Sequence, residues 1–248
     1  MKPKLSYTIW FTQRTGSTLL CQALESTGIA GIPGEWLLEK NLPEGYKSSP
    51  TRFQEYLWNV ATTDNGVWGL KLSFCEPAFS EMIQILKAFP TCPAEENNRV
   101  AIWEYAFPNH RHIFMTRRNK VRLAVSWWKA IQSQEWHRVS GEAPKLVDLS
   151  SAYSFDALLH LYEECSMREA GIQEFFAEGS IIPLTIVYED FILNYKETIR
   201  NMLDYLGIDH SSIQIPPPPL ERTADEISEQ WVQRFRQELQ KNWGNKGW

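Results

Sequence analysis

The residues predict an α/β fold: a P-loop-like parallel sheet flanked by helices on both faces. Three observations carry that expectation. Short β-prone runs alternate with helical patterns along the chain, the pattern of parallel strands joined by crossover helices. The first run stops at a small-residue turn that opens directly into a helix, an arrangement that gathers backbone N–H groups at one spot. A length of 248 residues with 43% hydrophobic content suffices for one sizeable core, so residues 1–248 read as a single domain.

Taken in order, Tyr7, Ile9, Trp10 and Phe11 make a strand near 6–11. Leu19, Leu20, Ala23 and Leu24 recur at helical spacing, so 17–28 is expected to be a helix. A loop with Gly28, Gly31, Pro33 and Gly34 follows, then a helix near 50–62 on Phe53, Tyr56, Leu57 and Val60. Val67, Trp68, Leu70 and Leu72 give a strand near 66–73, with helices near 76–89 and 95–106 behind it. The strand at 110–116 ends in Thr116-Arg117-Arg118 and leads to a helix near 119–136, a polar loop at 138–151 and a long helix near 153–178. A strand near 182–188 feeds a helix near 190–206 that Gly207 closes. Pro216 to Pro219 form a stiff extended connector before a charged amphipathic helix near 224–241.

A net charge of −5 argues against a broad nucleic-acid footprint, so local basic clusters must do any anion binding. Four cysteines, Cys21, Cys75, Cys92 and Cys165, have no metal-ligand spacing and read as reduced thiols. The first residues lead straight into a strand, and no apolar run reaches the ~18 residues of a membrane span. The expectation is a soluble, cytoplasmic protein without integral membrane contact.

Two basic clusters follow strands. In the first, Arg14, Thr15, Gly16, Ser17 and Thr18 offer guanidinium, hydroxyl and amide donors at a helix start. An ATP-binding P-loop would place two glycines around four residues and then a Lys. Here one glycine stands, no Lys follows it, and an Arg precedes it, so a metal-bridged triphosphate is poorly served. An ordinary turn with a hydroxyl cap would look the same. In the second cluster Arg118, Arg122 and Ser126 are spaced by four, near one helical stripe. Positive charge at a helix start is unfavourable unless an anion neutralises it, although solvated basic helix starts are common. Two anion sites on separate strand ends of one sheet suggest a nucleotide phosphorylated at both its 5′ and 3′ positions.

The whole pattern resembles the sulfotransferases that use 3′-phosphoadenosine 5′-phosphosulfate, and among them the bacterial trehalose 2-sulfotransferase family. The matching pieces are Gln13 to Leu20, Gly31 to Glu35, Gly66 to Leu72, Arg118 to Ala130, Gln132 to Trp136 and Leu220 to Asp225. The resemblance implies the sulfotransferase fold, with Arg14, Thr15, Gly16, Ser17 and Thr18 on the 5′-phosphosulfate. It implies Arg118 and Ser126, eight residues apart, on the 3′-phosphate, and Arg222 in a segment that closes over the nucleotide. Glu35 becomes the general base, and its apolar neighbours Trp36, Leu37 and Leu38 would make it a stronger one. Lys71, inside an apolar run, becomes a site residue near the sulfuryl group. Trp36 and Trp136, with Glu35, are candidates for the acceptor, whose sugar face an aromatic ring can cover; core packing is the plain alternative for such rings.

The implied acceptor is a hydroxyl of a carbohydrate or glycolipid. Residues 39–50 do not obviously match the trehalose enzymes, which leaves trehalose one candidate. No metal is expected, because a sulfuryl group carries little charge beside a phosphoryl group and no carboxylate pair stands out. A homodimer is a further implication of the resemblance. Two rival readings are a P-loop-type nucleoside or sugar kinase and a non-catalytic nucleotide-binding module.

Overall fold

Four strands form one parallel sheet in the order β2-β1-β3-β4 in the computed structural model, which describes residues 2–241, 243 and 244. They are β1 (Leu5–Phe11), β2 (Val67–Ser73), β3 (His110–Thr116) and β4 (Leu184–Val187). The register pairs Phe11 with Ser73 and with Met115, so the carboxyl ends of the three long strands lie level. Ligands of such sheets bind outside those ends.

Both faces of the sheet are covered, which is why apolar residues follow one another without alternation at Ile9-Trp10-Phe11 and Ile113-Phe114-Met115. Successive side chains of β1 alternate between them. Tyr7, Ile9 and Phe11 meet Leu20 and Leu24 of α1 (Ser17–Glu25) and Ile199 and Leu203 of α8 (Tyr195–Leu206). Trp10 points the other way, into a core built by α2 (Pro50–Val60), α3 (Ala78–Lys87), α4 (Arg99–Ala106) and α6 (Phe155–Glu178). Its ring centre lies 5.1 Å from that of Trp103 and 4.8 Å from that of Phe175. Removing so enclosed a ring would cost about 3–5 kcal/mol. A third cluster joins α5 (Lys120–Ser133) and α6 to α9 (Glu226–Gln240) through Val125, Leu158, Trp231 and Phe235.

Several boundaries differ from the expected ones for local reasons. The helix expected from residue 95 begins at Arg99, because the Asn98 side chain accepts the Val100 and Ala101 amides, both at 3.0 Å. The helix expected over 190–206 is two. α7 (Tyr188–Leu193) follows β4 without a loop, and Asn194, at φ −122°, separates it from α8. The helix expected over 119–136 stops at Ser133, where Gln134 turns left-handed at φ +55°. The strand expected near 182–188 is only the four residues of β4. The polar loop at 138–151 is tied to the proline connector. Val139 and Leu220 form an antiparallel bridge, with Ser140 N–H donating to Pro219 and Glu221 N–H to Arg138, both at 2.9 Å. No helix among the described residues is long and apolar enough to cross a membrane.

Candidate active site

The loop between β1 and α1 is held from inside. The Thr15 hydroxyl donates to the Thr12 carbonyl at 2.8 Å, so Thr15 is buried beneath the loop and stitches it together. Arg14 and Gly16 both have left-handed backbone, at φ +66° and +85°. Gly16 precedes α1 and cannot cap it; no side chain accepts the helix's first amides, and no acidic residue sits in the first turn. That helix start opens on a cavity of about 440 Å³, lined by Gly16 from the loop, by Ser17 and Thr18 from the first turn of α1, by Ser126 and Lys129 from α5, and by Trp136 and Arg222.

Cations crowd this cavity. Arg14 reaches across it: Nε donates to Ser126 Oγ at 3.0 Å, Nη2 to Thr223 Oγ1 at 3.2 Å, and Nη1 to the Trp136 carbonyl. Burial lowers the Arg14 guanidinium to about 10, the Arg117 cation pushes it the same way, and Tyr188 and Glu135 oppose them. Arg117, Arg122 and Arg138 also line the space. Arg122 is paired with Glu229 at 2.6 Å and Arg138 with the buried Glu135 at 2.9 Å. The donors left at Arg14, at the α1 amides and at the Ser17 and Thr18 hydroxyls suit an oxyanion with several oxygens.

Beside the cavity a line of polar groups runs outward. Lys71 Nζ donates to Thr18 Oγ1 at 3.1 Å and stands 3.6 Å from Glu35 Oε1. The Lys71 ammonium lies 4.8 Å from the centre of the Phe11 ring. Thr18 Oγ1 also comes within 3.4 Å of His137 Nε2. Glu35 arrives there because residues 31–35 lie along β2: Lys71 N–H donates to the Gly34 carbonyl at 2.9 Å, and Gly34 bridges Leu70. A side chain on Gly31 would meet the Gly69 amide at 2.8 Å, so this close approach requires glycine. The surroundings of Glu35 differ from those expected. Its side chain is 36% exposed and its neighbour is the Lys71 cation. Trp36 has turned back to donate to the Ile32 carbonyl at 2.8 Å and packs on the core, away from the cavity.

Arg118 is the residue the structure does not bring into this group. Asn119 caps α5, accepting the Arg122 amide at 3.0 Å, so Arg118 precedes the helix and lies off the Arg122–Ser126 stripe. Its exposed guanidinium is paired with Asp190 at 2.7 Å and borders a separate shallow recess with Lys120 and Arg236. The anion that relieves the crowded helix start is Glu189, which accepts the Arg118 and Asn119 amides at 2.9 and 3.2 Å. Trp136 and Arg222 do border the cavity, both with exposed surface.

Sequence reasoning passed over Arg117, Tyr188 and Lys129. For Arg117 a signal existed. Ile113 and Met115 of β3 face α1, so two residues further the alternation carries Arg117 to the same side. Among the described residues no group of three or more His, Cys, Asp or Glu side chains is arranged to hold a metal ion.

Residues 6–238 match the profile of the family described as Stf0 sulphotransferase. The chain belongs to that family. It is therefore a sulfotransferase, as the resemblance implied. Two similar proteins are trehalose 2-sulfotransferases. One, from Mycobacterium tuberculosis (strain Erdman), is 29% identical over 94% of each chain, and one, from Mycolicibacterium smegmatis, is 28% identical over 96% of each. The crystal structure of a sulfotransferase from Alicyclobacillus acidocaldarius shares the fold at 13% identity, with a TM-score of 0.50 over 92% of this chain and 90% of that one. The parallel sheet with helices on both faces is thus the sulfotransferase architecture expected from the sequence.

Proposed function

We propose that this chain transfers the sulfuryl group of 3′-phosphoadenosine 5′-phosphosulfate to a hydroxyl of trehalose or a closely similar carbohydrate. The observation that carries the reading is the unbroken line from Glu35 through Lys71 and Thr18 to the open start of α1. It joins a carboxylate able to take a proton to a cradle able to hold an anion. The two mycobacterial relatives, trehalose 2-sulfotransferases by name, support the acceptor. The half-buried, partly desolvated Arg14 and the uncapped α1 amides fit a donor with a charged 5′ group.

In this reading the loop amides, the Ser17 and Thr18 hydroxyls and Arg14 hold the 5′-phosphosulfate. The acceptor hydroxyl oxygen bonds to sulfur while the bond from sulfur to the bridging phosphate oxygen breaks. Glu35 takes the hydroxyl proton. Arg14 and the loop amides meet the charge that moves onto the departing phosphate, and fixed donors in a partly dry site do this without reorganising. Lys71, between Glu35 and Thr18, faces both the incoming oxygen and the sulfuryl group. Ser126 takes the 3′-phosphate, and Arg118, which borders the neighbouring recess, joins it by leaving Asp190 and turning towards the cavity. Arg118 is available because its pair with Asp190 is exposed, and such pairs contribute only about 0–1 kcal/mol. Arg222 covers the nucleotide, and the exposed Trp136 ring offers a face to the sugar.

The test is transfer of label from the ³⁵S donor to a panel of sugars with and without trehalose. Wild type is expected to label trehalose, and Glu35→Gln to lose about 100-fold or more in kcat while still binding adenosine 3′,5′-bisphosphate. Bisphosphate binding with no labelled sugar would instead favour a non-catalytic nucleotide module. Turnover of ATP would favour a kinase.

A further inference from the structure

Arg117 is among the most enclosed cations of the chain, and none of the roles assigned above uses it. Its side chain is 11% exposed. The guanidinium stacks on Tyr188, 4.6 Å from the ring centre, and Nη1 donates to the Arg14 carbonyl at 3.3 Å. Nε is buried without a hydrogen-bond partner and stands 3.7 Å from the Glu189 carboxylate. The same Tyr188 ring packs on Gly16 so closely that a Cβ there would meet it at 2.7 Å. Arg117 and Tyr188 therefore grip the loop at both of its left-handed residues, one by a carbonyl and the other by a ring face.

That grip matters because of what lies between. Arg14 is not glycine, and a left-handed backbone at a bulky residue is strained and persists only where its surroundings impose it. A conventional backbone at Arg14 would swing its guanidinium away from Ser126 and Thr223. Placing a second cation beside Arg14 is unfavourable in itself, and the Arg117 charge pushes Arg14 down; Arg117 is driven below its own ordinary value chiefly by burial, with Tyr188 and Glu189 opposing and Arg222 and Arg122 adding to the fall. Such an arrangement suits a site whose ligand is an anion.

We propose that Arg117 is a positioning residue: through the Arg14 carbonyl and the Tyr188 ring it holds the loop in the one conformation that aims the Arg14 side chain across the cavity. This rests on the sulfuryl-transfer reading above, in which Arg14 meets the charge on the departing phosphate. Lysine at 117 keeps the cation and loses the planar group that stacks and reaches the carbonyl together.

The experiment compares Arg117→Lys and Arg117→Gln with wild type in kcat and in calorimetric affinity for adenosine 3′,5′-bisphosphate. Rates are counted per bisphosphate-binding site, so that unfolded protein does not enter. Arg117→Lys is expected to lose about 30-fold or more in kcat, as a small misplacement of a catalytic group does, with bisphosphate affinity within about 3-fold of wild type. In an Arg14→Met background the same change is expected to cost no further kcat, because the group it positions is gone. Equal losses in the two backgrounds, or wild-type kcat in both Arg117 variants, would overturn the proposal. A second readout needs no turnover. The Arg14 Nε–H, bonded to Ser126, is assigned in arginine-labelled NMR spectra by its disappearance in Arg14→Lys. It is expected to exchange with solvent at least about 10-fold faster in Arg117→Lys. An unchanged signal refutes the positioning role even if the enzyme is active. A wild type that labels no sugar while this signal still responds to Arg117→Lys removes the transfer reading and leaves the loop clamp standing.

Discussion

A methyl group on Gly16 would stand 2.7 Å from the Tyr188 ring, on a residue whose φ is +85°. Both objections fall on one atom, so Gly16→Ala is expected to destabilise the fold by about 1–3 kcal/mol and to abolish measurable bisphosphate binding. Thermal melts and calorimetry check the two halves separately; a variant that binds as wild type would mean that the loop tolerates another shape. Lys71→Met tests the neighbouring contact. It removes the cation that touches both Thr18 and Glu35, and is expected to lower kcat by about 100-fold while changing donor affinity less. At this scale the glycine and the hydroxyls of the loop were legible, because a strand–turn–helix with small residues has few uses. Arg118 was singled out by motif spacing, whereas the enclosed cation of the pair is Arg117. Strand alternation distinguishes the two, and motif spacing does not. Glu35 was found through resemblance; its position beside Lys71 depends on residues 31–35 lying against β2, a pairing that no local pattern announces.

Elements add constraints of their own. β3 carries His110 and His112 inward, with their ring centres 4.6 Å apart. Trp103 Nε1 donates to His110 Nε2 at 3.1 Å and Trp10 Nε1 to His112 Nδ1 at 3.0 Å, so both rings are neutral acceptors. Burial holds His112 down to about 4 and His110 well below its ordinary value, the latter with help from its neighbour. The unfolded chain takes up these protons near pH 6.5 and the folded chain does not, so stability rises with pH and is lost as pH falls from about 6.5 towards 4. Chemical denaturation between pH 7.5 and 4.5 is expected to show this slope, and His112→Gln to flatten it. An identical slope in the variant would mean that His112 does not contribute to the acid sensitivity.

The start of α9 makes a second element-level case. Asp225 accepts the Ser228 amide at 3.0 Å and also pairs with Lys129 at 2.6 Å, while Lys129 donates to the Thr223 carbonyl at 2.8 Å. Asp225→Ala is expected to cost about 1 kcal/mol as a lost cap and to weaken bisphosphate binding, because the segment carrying Arg222 and Thr223 loses its tether. A melt with a normal bisphosphate titration would confine Asp225 to helix capping. Helix existence was legible throughout from apolar spacing. The ends were not, because Asn98, Asn119 and Asn194 act through side-chain bonds or backbone turns that periodicity does not register.

For the whole molecule, the net charge of −5 conceals a cavity in which Arg14, Arg117, Arg122 and Lys129 converge. Bisphosphate affinity is therefore expected to fall as salt rises from 50 to 500 mM, which titrations at several salt concentrations measure. At 100 times its dissociation constant the ligand is expected to add about 2.7 kcal/mol of stability. The layered architecture was legible because each long strand has a stretch buried on both faces, such as Ile9-Trp10-Phe11 and Ile113-Phe114-Met115, and its sequence says so. The roof was not. Residues 138–142 and 218–222 meet across some eighty positions of chain, and neither segment carries a strand pattern. The most direct measurement is a crystal structure with adenosine 3′,5′-bisphosphate. The 5′-phosphate is expected on the Gly16–Thr18 amides with Arg14, and the 3′-phosphate beside Ser126, with Arg118 released from Asp190. A nucleotide bound outside this cavity, or one that leaves Arg14 and Ser126 untouched, would refute the assignment.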